Sequence, residues 1–268
     1  MSSVKNFFTN KIIWITGASS GIGEALTDEL VKKNAILLLS ARNKEQLQRV
    51  REKYSYDNIF IYPMDVTDNE SVVKAVAEVL SIHGKVDILI NNAGVSQRSL
   101  AADTKLEVDY RLMEVNYFGT IRLTKLILPS MIQHKSGQVV TVSSVMGKFG
   151  TPYRSGYAAS KHALHGYFDS VRAELHTTGV SFTLVCPGFV RTAITLNALT
   201  GDGSPLNSMD PGTSNGLQPE YFAGKMLKAI ASRKKEVYIG GFKERFGVYM
   251  NRFLPDLFFP ILTRMSVR

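Results

Sequence analysis

The feature that most limits how this chain can fold is the alternation of short apolar runs with longer amphipathic stretches. Residues 12–16, 35–40, 59–62, 86–90, 138–142 and 180–185 read as strands. Between them, 21–33, 43–53, 69–83, a long region ending near Gln133, and 155–177 carry helical spacing. A helix over 219–232 and a short strand at 236–239 complete the pattern. Strands that are apolar throughout need cover on both faces, which crossover helices supply in a parallel sheet. Right-handed crossovers then predict a doubly wound α/β fold, a parallel sheet of about seven strands with helices on both faces. No linker or repeat divides the sequence, so 1–268 is expected to be a single domain. Within it lie a Gly/Ser/Asn/Pro-rich loop at 192–218, expected to serve the substrate, and a basic, apolar C-terminal extension at 241–268.

Composition excludes several classes. Apolar residues make up 44% and charged residues 21%, enough for a sizeable core and unlike a disordered chain. The one cysteine, Cys186, cannot form an internal disulfide, and its apolar run reads as a buried thiol in a reducing compartment. No Cys/His group has metal-ligand spacing, so no metal is expected. Residues 1–10 lack a signal-peptide pattern, and no apolar run approaches the ~20 residues of a bilayer span. A cytoplasmic protein is expected, with membrane association left open by the charge distribution. Net charge is +9, and residues 225–268 hold ten Lys/Arg against three Asp/Glu. That end suits an acidic partner, such as a lipid surface or a phosphorylated substrate, or is a plain solvated face. No nucleic-acid motif accompanies it, so nucleic acid is not an expected partner.

Between the first strand and first helix lies Thr16-Gly17-Ala18-Ser19-Ser20-Gly21-Ile22-Gly23. Its glycines let the backbone turn tightly and approach a pyrophosphate, whose charge meets free N–H groups at a helix N-terminus. The sheet is therefore expected to be a Rossmann-type, dinucleotide-binding one. The second strand ends in Ser40-Ala41-Arg42-Asn43, without the acid that would hold the ribose hydroxyls of NAD. Arg42 can pair with a 2′-phosphate through its planar fork, so NADP(H) is preferred over NAD(H).

The ordered set of that turn, Asp65-Val66, Asn91-Asn92-Ala93-Gly94, Asn116, Ser144, Tyr157-Ala158-Ala159-Ser160-Lys161 and Pro187-Gly188 resembles the classical short-chain dehydrogenase/reductases over nearly the whole chain. Within them it looks closest to a lipid- and steroid-type subgroup resembling acyl-dihydroxyacetone-phosphate reductase, through 113–119, 152–157, 172–175 and 197–204. The resemblance implies that Asp65 contacts adenine and that Asn92, Ala93 and Gly94 line the adenosine side. It implies that Pro187, Gly188, Val190 and Thr192 hold the nicotinamide end. Homo-oligomers, dimers or tetramers, are common in the family and expected here.

Tyr157 and Lys161 share one helix face. A free phenol has a pKa near ~10, and a cation ~4–6 Å away favours the phenolate; Lys161 is expected to supply that cation. Tyr157 would then exchange the proton of a carbonyl/alcohol pair as hydride moves. Ser144, rather than its neighbour Ser143, is selected by family spacing to polarise the substrate oxygen. By resemblance Asn116 belongs to a water-linked proton path to Lys161. Val95, Met146, Phe149, Tyr153, Phe189 and Leu196 predict a largely apolar substrate pocket for a small hydrophobic carbonyl or alcohol. The extension, interrupted by Pro255 and Pro260, suits a cover over the entrance, a subunit contact or a membrane surface. The alternative to an enzyme is a cofactor-binding regulatory or lipid-surface protein on the same fold.

Overall fold

The computed structural model describes residues 6–264. The expectations that reach 1–5 and 265–268 lie outside the described residues. Seven strands form one sheet in the order β3-β2-β1-β4-β5-β6-β7. They are β1 (Ile12–Thr16), β2 (Ile36–Ser40), β3 (Ile59–Ile61), β4 (Ile88–Asn91), β5 (Gly137–Val142), β6 (Val180–Pro187) and β7 (Glu236–Ile239). Every pairing is parallel. The helices of eight or more residues are α1 (Gly21–Val31), α2 (Lys44–Glu52), α3 (Asn69–His83), α4 (Leu106–Met113), α5 (Gly119–Gln133), α6 (Ser155–Glu174), α7 (Pro219–Ala231), α8 (Phe242–Phe253) and α9 (Pro255–Thr263).

Side-chain alternation along the strands divides the core into two layers. On one face Ile13, Ile15, Leu37 and Leu39 meet Leu26 and Leu30 of α1, Leu47 of α2 and Phe222 and Met226 of α7. On the other, Trp14, Leu38, Leu89 and Val139 meet Val72 and Val76 of α3, Leu123 and Ile127 of α5 and Leu164 and Phe168 of α6. This double cover is why the strands read as unbroken apolar runs. Strand order reverses between β1 and β4, which opens a crevice at their carboxyl ends.

Three local features differ from the sequence reading. The long helical region is α4 and α5 joined through a π-helical turn, Glu114–Phe118, which carries Asn116. Turns of this kind concentrate at functional sites. The 192–218 stretch contains a short helix, Pro211–Ser214, and is tied to the segment after β4. Arg98 N donates to Leu199 O at 2.8 Å and Leu199 N to Ser96 O at 2.9 Å. The extension is two helices broken at Pro255, while Pro260 is accommodated inside α9.

Candidate active site

The crevice is built from the ends of β1 and β4 outward. Thr16 Oγ1 accepts from Asn92 N and from Ala93 N, both at 3.0 Å. Asn92 Nδ2 donates to Thr16 O at 3.0 Å and Gly17 O at 3.2 Å. These bonds clamp the glycine turn against the strand next to it. Gly17 has φ +64°, a left-handed conformation that glycine adopts without strain. Ser20, the N-cap of α1, makes no side-chain cap bond, so the helix presents unsatisfied first-turn N–H groups.

A cavity of about 620 Å³ runs from this turn across the sheet ends. All the residues anticipated for the cofactor line it except Gly23. Gly23 requires a correction: it lies beneath the turn. A Cβ there would sit 2.2 Å from Gly17 O and 2.9 Å from Asn92 Nδ2, so its service is close packing rather than contact with a ligand. At the β2 end, Ser40 Oγ accepts from Trp14 Nε1 at 2.8 Å, and exposed Arg42 makes no hydrogen bond or ion pair among the described residues. Asp65 Oδ1 accepts from Thr67 N at 2.9 Å and from Thr67 Oγ1 at 2.8 Å, which fixes the loop and leaves Oδ2 open.

Ser144, Tyr157 and Lys161 line the same cavity, with Ser144 beyond β5 and the other two one turn apart on α6. Burial raises the Tyr157 phenol above its ordinary value, against the pull of a hydrogen bond with Ser144 and of the Arg154 and Arg98 charges. Lys161 Nζ is 5.8 Å from the Tyr157 ring centre and donates to Val142 O at 2.9 Å. Burial pushes Lys161 down to about 8. Arg154 and Arg98 thus add positive charge near the phenol besides Lys161, which the sequence reading did not anticipate. Ser143 turns away from the cavity centre: its Oγ lies 3.0 Å from His165 Nε2 and donates to Lys161 O at 3.3 Å.

Asn116, which the resemblance places on a proton path to Lys161, is not part of the cavity wall. It is fully buried behind the cavity. Its Nδ2 donates to Val95 O at 3.0 Å and Ser160 Oγ at 2.9 Å, and its Oδ1 accepts from Val95 N at 2.9 Å. These bonds tie the π turn to α6 and to the segment after β4. Bare Gly94 keeps the gap open: a Cβ there would sit 3.1 Å from Asn116 Oδ1 and 3.6 Å from Lys161 Nζ.

The substrate end is more charged than expected. Val95 and Phe189 line the cavity, but Met146 and Phe149 are core, packed with Tyr157, Val248 and Phe258. Tyr153 and Leu196 do not line it. Sequence reasoning missed Arg98 and Arg154, both buried lining residues. Arg98 Nη2 pairs with Asp210 Oδ2 at 2.5 Å, and Thr213 N donates to Asp210 Oδ1 at 2.6 Å. Arg154 Nη2 stays 3.7 Å from Asp210 Oδ2, and its Nε and Nη2 have no hydrogen-bond partner. Burial and the Arg98 charge push Arg154 down to about 10. One carboxylate thus faces two guanidinium groups. The signal for Arg154 was its place three residues before Tyr157; nothing local marked Arg98.

His165, Cys186 and Glu236 also gather behind β6, with ligand atoms within 4.8 Å of one another. His165 Nε2 faces Ser143 and, at 3.8 Å, Cys186 Sγ, whereas Nδ1 faces Glu236 Oε2 at 3.2 Å. Lys148 Nζ holds Glu236 at 2.8 Å. With its two nitrogens aimed at different groups, His165 joins a polar chain rather than offering one shared ligand point.

A doubly wound sheet whose switch-point crevice joins an open helix N-terminus to a Ser/Tyr/Lys wall defines a dinucleotide-dependent type of oxidoreductase. The chain belongs to the short-chain dehydrogenase family, whose model matches residues 11–202. It is 42% identical over 263 residues to a dehydrogenase/reductase SDR family protein 7-like from Anopheles gambiae, covering 96% of this chain and 83% of that protein. It is 40% identical over 260 residues to dehydrogenase/reductase SDR family member 7B from Xenopus laevis, covering 94% and 80%. Among solved structures, a short-chain dehydrogenase from Streptomyces avermitilis superposes with a TM-score of 0.80 at 26% identity, covering 94% of this chain and 96% of that one. An alcohol dehydrogenase from Thermococcus sibiricus complexed with 5-hydroxy-NADP gives 0.74 at 25% identity, covering 87% and 97%.

Proposed function

We propose that this chain is an NADP(H)-dependent reductase that interconverts a carbonyl and an alcohol, with Tyr157 as its acid/base. The observation that carries the reading is the placement of Ser144, Tyr157 and Lys161 on the wall of the cavity that begins at the glycine turn. The open N–H groups of α1 and the clamped Gly17 turn suit a pyrophosphate, and unpaired Arg42 suits a 2′-phosphate. A bound nicotinamide supplies or accepts the hydride. Tyr157 donates its phenol proton to the carbonyl oxygen in reduction and takes it back in oxidation. Ser144 donates a hydrogen bond to the same oxygen and polarises the bond. Asn116 and Gly94 hold the backbone so that Lys161 stays beside the phenol.

The substrate carries a hydrophobic body against Val95, Phe189 and Leu199 and an acidic group near Arg98 and Arg154, the pattern of an acyl-dihydroxyacetone-phosphate-type ketone. A homo-oligomer built on the α4–α5 helix fits its exposed Leu106, Tyr110 and Phe118. Tyr157→Phe is expected to bind NADPH as the parent does and to lose ~10²–10⁴-fold in turnover. Near-normal turnover of an accepted ketone by that variant removes the mechanism.

A further inference from the structure

The C-terminal helices present a surface that the chemistry above leaves unused. On α8, Phe242, Phe246, Tyr249 and Phe253 recur at i, i+4, i+7 and i+11, so they fall on one helix face. That face points to solvent: Phe242 is 74% exposed and Phe253 73%. Phe242 and Phe246 stack with ring centres 5.8 Å apart, which gives the stripe a fixed shape. On α9, Leu257 and Phe259 are also exposed, at 64% and 67%. Scattered single apolar residues on a surface need no explanation, but a contiguous aromatic stripe does.

The opposite side of the same helix pair is firmly docked. Val248 and Phe258 are buried, and Phe258 meets Phe149 edge to face at 5.3 Å. Asn251 Nδ2 donates to Lys148 O at 2.9 Å. The aromatic stripe is therefore the outer face of an anchored element, not the inner face of a displaced one.

Charge identifies the occupant. Lys243, Arg245, Arg252 and Arg264 are exposed on the two helices. Of the two acids there, Glu244 is turned inward, with Phe189 N 3.5 Å from its Oε1, which leaves Asp256 alone outside. Two copies meeting face to face would bring the same basic rims together, since an isologous contact repeats each patch. An anionic lipid surface neutralises them and takes the aromatic rings at headgroup depth. No helix among the described residues is long and apolar enough to cross a membrane, so the contact lies in the plane of the interface.

We infer that α8 and α9 form an interfacial docking face that seats the protein on anionic membranes through the Phe242/Phe246/Tyr249/Phe253 stripe and its basic rim. The inference is independent of the reaction assigned to the cavity. The same helix pair walls the cluster containing Tyr157, so docking sets the substrate end close to the lipid.

The test is co-sedimentation of the full chain with phosphatidylcholine vesicles, with and without phosphatidylserine, at low and high salt. Light scattering of the lipid-free protein runs alongside. The parent is expected to bind phosphatidylserine vesicles roughly tenfold better than phosphatidylcholine alone and to be released by salt. Phe242→Ser with Phe253→Ser, and separately Arg245→Glu with Arg252→Glu, should each weaken binding about tenfold or more. Both pairs are exposed, so equal melting temperatures verify the fold. The inference is overturned by absence of binding to phosphatidylserine vesicles, or by binding that survives the double Phe→Ser change. It is also overturned if that change instead splits a lipid-free dimer into monomers without altering vesicle binding.

Discussion

Gly23→Ala adds one methyl group at the most crowded point beneath the glycine turn. The new Cβ would lie 2.2 Å from Gly17 O, 2.9 Å from Ala18 Cα and 2.9 Å from Asn92 Nδ2. A carbon rests against a carbonyl oxygen at roughly 3.3 Å or more, so the turn must open by about 1 Å. Gly23 is inside α1, and alanine there gains roughly 0.5–1 kcal/mol of helix propensity. Overpacking costs about 1–3 kcal/mol, so the fold survives with a net loss on the order of 1–2 kcal/mol. The turn itself fares worse, because the opening breaks the Asn92 bonds to Thr16 O and Gly17 O. Losing one charge-assisted hydrogen bond from a displaced amide to a phosphate is worth ~1.5–3 kcal/mol, which converts to ~10–100-fold in affinity. NADPH fluorescence titration with thermal melts on the same samples measures both terms. Parent-like affinity together with a parent-like melting temperature would refute the packing argument.

Three further outcomes follow from the geometry. Arg42→Ala should weaken NADPH by ~10–100-fold and leave NADH within about threefold, because only the 2′-phosphate needs the guanidinium; equal losses in a titration of both cofactors contradict that role. Lys161, at about 8 in the fold against ~10.4 unfolded, makes the unfolded chain the better proton binder between those values, so stability should rise as pH climbs from about 8 to ~10.4. Lys161→Met removes that burial penalty; allowing for the Val142 carbonyl it leaves unpaired, the variant should be roughly 1–2 kcal/mol more stable at pH 7, with the gap closing at alkaline pH. Denaturant melts that show no pH-dependent gap would rule this out. Phe258→Ala should cost ~3–5 kcal/mol if the edge-to-face contact with Phe149 anchors the extension, and an unfolding loss below about 1 kcal/mol would mean that it does not.

The sheet was legible because burial on both faces leaves a mark that needs no partner to be known. Trp14 and Ile15 point to opposite layers, yet both had to be apolar. The helix pair Tyr157/Lys161 and the glycine turn were legible because their members are neighbours in sequence. Features that depend on distant partners were not. Arg98 looks like a surface charge until Asp210, 112 residues away, is folded against it. The π turn at Asn116 was hidden because a single extra residue in a helix barely changes an apolar pattern. Met146 and Phe149 were read as pocket lining, since apolar character alone does not distinguish a wall that faces a ligand from one that faces Phe258. Ser143 and Ser144 are adjacent and chemically identical; only the turn after β5 decides which hydroxyl faces Tyr157 and which faces His165.

The charge arrangement around Tyr157 bears on how the phenol works. Burial favours its protonated form, and Ser144, Arg154 and Arg98 only partly offset that. A phenol that keeps its proton at neutral pH is ready to give it to a carbonyl oxygen, so reduction needs no prior ionisation. Alcohol oxidation needs the phenolate first, and the cost of forming it falls as positive charge nearby is left uncompensated. Arg154 is such a charge: two of its nitrogens have no hydrogen-bond partner, and it shares Asp210, 3.7 Å away, with Arg98. An acidic group arriving at Arg154 with the substrate would neutralise it and raise the cost of the phenolate again. Binding of an acidic group at Arg154 and retention of the Tyr157 proton would therefore be coupled through the same guanidinium.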